Sequence, residues 1–87
     1  FVDRLTIEGE TTANLEEIAV DDLPKEYIDK TILDLDLRRK TGCTVIGFKA
    51  PDNSYLINPE ASIVLQKDSY LIVLGRPEQI SKLRALF

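Results

Sequence analysis

The 87-residue sequence predicts an α+β domain: a small mixed or antiparallel sheet of about four strands, a short helix between strands one and two, and a C-terminal helix. Three observations lead to this prediction. Short runs rich in β-branched and aromatic residues are separated by turn-forming clusters. A segment between Thr31 and Gly42 has helical spacing and a cap at each end. Finally, Pro77 opens an amphipathic segment, as proline often does in the first turn of a helix.

The N-terminal part of the chain is predicted to be a linker, residues 1–14, leading from a preceding part of a longer protein into a domain of residues 15–87. The linker prediction rests on residues 9–14, which are polar and lack periodicity. Residues 1–7 fit either a helix end or a strand. Residues 15–20 form the first strand candidate, and two aspartates and Pro24 follow it.

The predicted first helix begins at Thr31, which fits an N-cap because an acidic residue, Asp34, stands three positions later. Gly42 follows the last turn and suits a left-handed C-terminal cap. The apolar residues of this segment are expected to lie on one side, with Ile32 and Leu35 sharing a face and Leu33 and Leu37 close to it.

The second half of the chain predicts a hairpin, a central strand and a closing helix. Residues 43–50 and 55–57 have strand composition and flank the turn cluster 51–54. Residues 70–74 are apolar at every position, which is typical of a strand covered on both faces. The closing helix is expected to bury Ile80, Leu83 and Phe87.

The composition excludes several kinds of chemistry. The sequence has no histidine, so imidazole-based catalytic sites and mixed Cys/His zinc sites are absent. Cys43 is the only cysteine, which rules out an internal disulfide, favours a reducing compartment, and is best explained as a small buried apolar residue. Nucleophile-elbow and glycine-rich phosphate motifs are missing as well. An enzyme is therefore not predicted, and neither is a bound cofactor.

The net charge of −4 is unevenly divided, since residues 1–36 hold eleven acidic and three basic residues and residues 37–87 hold four acidic and eight basic ones. The acidic part lacks the spacing of a calcium loop, so its carboxylates are interpreted as a solvated face and no metal site is predicted. Nucleic-acid binding is not expected from a net negative chain. The longest apolar run has five residues, and neither a signal peptide nor membrane insertion is predicted.

The one basic cluster is Arg38, Arg39 and Lys40, at the end of the predicted first helix. One interpretation is that these charges favour the negative end of the helix dipole, with Asp36 paired to Arg39 or Lys40. The other is that Arg38, beside an apolar strand, presents its guanidinium to an anion such as a phosphate. The sequence leaves both open.

Three stretches resemble the C-terminal (TrkA-C or RCK-C) domain of regulator-of-potassium-conductance proteins: residues 31–42 with their Leu-Asp-Leu-Arg segment, residues 55–59 with Asn-Pro, and residues 68–75 ending in Val-Leu-Gly. Their order and spacing match too, over about residues 15–87. The resemblance implies a cytoplasmic module that follows a Rossmann subdomain in potassium channels, uptake systems and some cation/proton antiporters. It implies homodimers that bind small ligands at or near the dimer interface, on the cytoplasmic side of the membrane.

In some members of this family the ligand is cyclic di-AMP. The positions that the resemblance assigns to it are Asp36, Leu37, Arg38, Thr44, Val45 and Pro59. Known binders tend to have asparagine at Thr44, and Arg39 replaces a residue that is often small. The leading hypothesis is a ligand-sensing, dimerising regulatory domain of a potassium channel or transporter, and the alternatives are a purely structural dimerisation module or a divalent-cation sensor.

Overall fold

A computed structural model describes the backbone of residues 4–7 and 11–86 and the side chains of residues 13–86. It contains a five-stranded sheet in which every neighbouring pair is antiparallel and the strand order is β1-β2-β5-β3-β4. The strands are β1 (Arg4–Ile7), β2 (Thr11–Ala19), β3 (Thr44–Lys49), β4 (Tyr55–Ile57) and β5 (Tyr70–Gly75). The predicted α+β class is confirmed, and β1 is an additional edge strand.

Part of the predicted linker belongs to this sheet. Residues 11–14 lie in β2, which pairs with β1 from Arg4 opposite Asn14 to Ile7 opposite Thr11. Sequence periodicity did not reveal this because the pairing supplies backbone hydrogen bonds without requiring apolar alternation. Residues 1–3 and 8–10 of the predicted linker lie outside the described residues. A connection to a preceding part of a longer protein stays a prediction.

The helices are α1 (Ile32–Leu35), α2 (Leu37–Thr41) and α3 (Pro77–Ala85), and two short 3-10 turns, Val20–Asp22 and Lys25–Tyr27, precede α1. The single first helix predicted from the sequence is therefore divided. Asp36 separates its halves in a left-handed conformation, with φ of 52°. Residues two apart on one helix point in nearly opposite directions, yet Leu35 and Leu37 are both buried. The break lets both leucines reach the core.

The predicted caps of this segment are confirmed. The Thr31 hydroxyl accepts a hydrogen bond from the Asp34 backbone N–H at 3.1 Å, and the Asp34 carboxylate accepts one from the Thr31 N–H at 3.0 Å. The bond from the Thr31 N–H stabilises the ionised carboxylate and is the largest cause of the lowered pKa of Asp34. At the other end, Gly42 has φ of 84°, and its N–H donates to the Arg38 carbonyl. A β-carbon at Gly42 would be strained there.

Replacing Thr31 by alanine is expected to lower the free energy of unfolding by about 1 kcal/mol, the usual cost of removing an N-cap side chain. Urea denaturation followed by circular dichroism measures the change, and Thr44→Ala, an exposed strand position, provides the control. Equal stability of the wild type and the Thr31 variant would show that the cap contributes nothing to the fold.

The core lies between one face of the sheet and the helices. Leu71 of β5 stands opposite Ile18 of β2 and Phe48 of β3, and all three side chains are buried on the same face. Ile80 and Leu83 of α3 are buried in the same cluster, while Phe87 lies outside the described residues. The predicted hairpin of β3 and β4 and the central position of β5 are both confirmed. Across the described residues, no helix is long and apolar enough to cross a membrane.

Candidate functional site

A cleft with a volume of about 330 Å³ opens where α1, α2, the beginning of β3 and the segment after β4 meet. We call it the α1–β3 cleft. All six positions assigned from the resemblance border it, together with four others that were not assigned to a ligand site. The lining residues are Ile32, Leu33, Asp36, Leu37, Arg38, Cys43, Thr44, Val45, Pro59 and Ala61.

The helical wall of the cleft turns at Asp36. The Asp36 N–H donates to the Ile32 carbonyl at the end of α1, and the Asp36 carbonyl accepts from the Lys40 N–H in α2 at 3.2 Å. Aspartate is one of the few residues other than glycine that enter the left-handed region readily. The residue thus ends one helical turn and begins the next, and this geometry places Arg38 beside the cleft.

The floor of the cleft is held by the tight connection between α2 and β3. The Thr41 hydroxyl donates to the Leu37 carbonyl at 2.7 Å and accepts from the Cys43 N–H at 3.1 Å. Cys43 is fully buried, as the sequence predicted for a small apolar residue. Thr44 and Val45 follow directly, so their positions depend on this connection.

The remaining wall is the chain that leaves β4. Asn58 has φ of 51°, and its N–H donates to the Ile46 carbonyl at 2.9 Å. Beyond the half-buried Pro59, the Ala61 carbonyl accepts a hydrogen bond from the Leu33 N–H at 3.0 Å. The segment therefore runs from the sheet edge to the first turn of α1, where it satisfies backbone donors that a helix start leaves free.

The three residues of the basic cluster differ in their contacts, and two of them have a partner. Arg39 donates from its Nε to the Asp36 carboxylate, one of the pairings that the sequence allowed. The Lys40 ammonium donates to the Tyr27 hydroxyl at 2.6 Å and lies 4.7 Å from the centre of that ring. Among the described residues, the exposed Arg38 side chain has no salt bridge or hydrogen-bond partner. Because Arg39 neutralises Asp36, Arg38 leaves the cleft with a net positive charge.

Leu33 is the lining residue that sequence reasoning placed wrongly. It was expected close to the buried face of a continuous helix, but it is 68% exposed and borders the cleft, because it lies two positions before the buried Leu35 on α1 and so points away from the core. Ile32, Cys43 and Ala61 were missed as well. Their only sequence signal is closeness to the assigned positions, and Ala61 meets α1 through tertiary hydrogen bonding alone.

The acidic residues do not gather around a cation. Within residues 4–7 and 11–86, no group of three or more His, Cys, Asp or Glu side chains is arranged to hold a metal ion. Glu16 instead pairs with Arg84 of α3, and Asp21 accepts from the Asp68 N–H. These contacts join Glu16 and Asp21 to other parts of the fold.

Comparisons with known proteins agree with this fold. The family model of the TrkA-C domain matches residues 15–87. The crystal structure of the GsuK RCK domain superposes with a TM-score of 0.72 at 29% identity, and covers 85% of this chain but only 16% of the GsuK chain. A GsuK channel structure bound to NAD also matches, at 29% identity. No curated protein sequence matched the chain.

Two structures of isolated C-terminal domains share the fold at lower identity. The RCK C domain of the potassium transport protein KtrA, in complex with cyclic di-AMP, has a TM-score of 0.72 at 21% identity and covers 86% of this chain and 84% of its own. The RCK_C domain dimer of S. agalactiae BusR, also in complex with cyclic di-AMP, has a TM-score of 0.68 at 19% identity. The match covers 83% of this chain and 86% of the BusR domain chain. BusR has also been solved in complex with promoter DNA, and this chain spans 34% of the BusR chain in that structure.

Proposed function

The chain belongs to the TrkA-C domain family, and from this premise we propose that it is a ligand-sensing, dimerising regulatory domain of a potassium channel or cation transporter. The observation that carries the proposal is the α1–β3 cleft, which is lined by apolar residues and by Arg38, a side chain with no partner among the described residues. A pocket with apolar lining and a few charged groups is the usual form of a small-molecule site. Binding there would act on transport by favouring one arrangement of the dimer over another.

The chemistry of the cleft favours a ligand with both phosphate and flat apolar parts. A guanidinium binds phosphate oxygens through two parallel hydrogen bonds. Leu37, Val45 and Pro59 offer apolar surface for a base beside it. Two related domains were solved with cyclic di-AMP, which combines these two parts. We therefore propose cyclic di-AMP as the ligand.

The size of the cleft supports a role for a second copy. A volume of about 330 Å³ is at the lower end of the roughly 300–1,000 Å³ usual for ligand pockets. One cleft therefore covers only part of a cyclic dinucleotide. A homodimer would cover more of it, and the symmetric ligand would suit two symmetry-related sites.

Titrating the purified chain with cyclic di-AMP by isothermal calorimetry tests the ligand. We expect saturable binding, and we expect Arg38→Ala to weaken it at least tenfold, because a hydrogen bond to a charged group contributes about 1.5–3 kcal/mol. Arg76→Ala is the matched control, since Arg76 is an exposed arginine outside the cleft. Absence of heat with the wild type would exclude cyclic di-AMP, and unchanged affinity in the Arg38 variant would exclude this site.

The rest of the assignment follows from the proposed role. The domain would act on the cytoplasmic side of the membrane, without catalysis, joined to a preceding Rossmann subdomain and a membrane pore or transporter. We propose no direct contact with nucleic acid, because the chain has a net charge of −4.

The cation-sensor alternative lacks a ligand cluster in the described residues. A purely structural dimerisation module would give a tight dimer whose melting temperature no small molecule changes.

A further inference from the structure

A second cavity lies apart from the α1–β3 cleft, where the Lys25–Tyr27 turn, α1, α2 and the residue that follows α3 meet. Its volume is about 230 Å³. We call it the Tyr27–Lys40 cavity, and it shares no lining residue with the cleft. Because distant parts of the chain form it, the local sequence patterns did not predict it. The lining residues are Pro24, Glu26, Tyr27, Leu35, Lys40 and Leu86.

Backbone hydrogen bonds hold the segments that form this cavity. The Tyr27 N–H donates to the Pro24 carbonyl at 3.0 Å, which closes the 3-10 turn. The Lys40 N–H donates to the Asp36 carbonyl at 3.2 Å and so fixes the position of Lys40 in α2. Leu35 of α1 is fully buried and belongs to the core. The cavity is therefore bordered by ordered parts of the fold.

Lys40 and Tyr27 together offer two hydrogen-bond donors at this cavity. An ammonium group has no lone pair, so the lysine is the donor in the 2.6 Å bond between the Lys40 Nζ and the Tyr27 hydroxyl. The phenol oxygen accepts, and its own proton stays free to donate. Among the described residues, Lys40 forms no salt bridge and the Tyr27 hydroxyl has no acceptor. Two donors on neighbouring atoms suit the two oxygens of a carboxylate.

The other charged residue of the cavity is Glu26. It is exposed, and it forms no salt bridge with Lys40 or with any other residue in the described part of the chain. A ligand with a carboxylate alone would be repelled by Glu26, whereas a ligand that also carries an ammonium group would be attracted to it. Pro24, Leu35 and Leu86 supply apolar surface. The lining thus offers a partner for an anion, a cation and a small apolar group.

We propose that the Tyr27–Lys40 cavity binds a small apolar α-amino acid. The carboxylate of the ligand accepts from Lys40 and Tyr27, and its ammonium group pairs with Glu26. Its side chain contacts Leu35 and Leu86. A volume of about 230 Å³ lies below the roughly 300–1,000 Å³ usual for drug-sized ligands, which agrees with a ligand this small. The inference does not depend on the proposed function, because it needs neither cyclic di-AMP nor a dimer.

Titrating the isotope-labelled chain with leucine and following its amide signals by NMR tests this site. We expect saturable shifts at Tyr27, Leu35 and Lys40. Lys40→Met keeps an apolar side chain but removes the ammonium group, and it should weaken binding about tenfold because a hydrogen bond to a charged group is lost. Lys67→Met is the control, since Lys67 is exposed and lies outside the cavity, and it should leave the affinity unchanged. Circular dichroism checks that both variants are folded.

Two analogues of leucine separate the roles of its charged groups, and both are titrated into the wild-type chain, so the comparison does not require a variant to fold. Leucinol lacks the carboxylate and should bind about tenfold more weakly. Isocaproate lacks the ammonium group and should bind about twofold more weakly, because an ion pair with an exposed residue contributes little. No saturable shifts with leucine, or equal affinity in Lys40→Met, would overturn the proposal. Binding of either analogue as tight as that of leucine would exclude an amino acid as the ligand.

Discussion

Replacing Leu71 by alanine is expected to lower the free energy of unfolding by about 2–5 kcal/mol, the range measured for leucine truncation in protein cores. Leu71 is fully buried in the central strand and has apolar neighbours on both adjacent strands, Ile18 and Phe48. A domain of this size has about 0.05–0.15 kcal/mol of stability per residue, so the variant would lose a large part of the total.

Urea denaturation measures this loss, and circular dichroism is the suitable probe because the chain has no tryptophan. The protein concentration must be the same for all variants, since dimerisation would add to the apparent stability. Leu86→Ala, at a position 40% exposed that directly follows α3, should change stability by less than about 0.5 kcal/mol. Similar losses in both variants would contradict the central position of Leu71.

Gly75→Ala is expected to destabilise the domain by about 1–3 kcal/mol, the usual cost of adding a methyl group to a filled core. A β-carbon at Gly75 would lie 2.8 Å from the Cys43 Sγ and 3.3 Å from the Ile80 Cδ1. Both neighbours are buried, so neither can move aside easily. Cys43 also lines the α1–β3 cleft, and its displacement should weaken ligand binding as well.

A double-mutant cycle with Cys43→Ala identifies the cause. Removing the sulfur makes room for the added methyl group, so the two substitutions together should cost less than the sum of their separate effects. Denaturation of the wild type, both single variants and the double variant supplies the four free energies. Strict additivity would mean that the contact with Cys43 is not what makes Gly75 necessary.

Much of the fold could be predicted because its signals are local. Thr31 and Gly42 mark the two ends of the first helical segment with residues whose capping chemistry is independent of the rest of the chain. The break at Asp36 could not be predicted this way. The break allows both Leu35 and Leu37 to be buried in the core. Their burial depends on packing against the sheet, which the local sequence does not describe.

The candidate site, too, could be predicted only in part from the sequence. The six positions taken from the family resemblance do lie around one cleft, but their part in binding stays a prediction. The residue pattern allowed Asp36 to pair with either Arg39 or Lys40, and it left Arg38 either a helix-end charge or an anion ligand. The structure separates them through their partners, Asp36 for Arg39 and Tyr27 for Lys40, and neither partner was certain from spacing.

The position of β5 also has a consequence for how the chain folds as it is synthesised. The last strand in the sequence is the central one, and in the described sheet β2 and β3 are joined only through it. Before Gly75 has left the ribosome, the nascent chain can form only a hairpin on each side, and these have no shared strand. Because the pairings that join them are distant in sequence, we expect the sheet to close late and slowly.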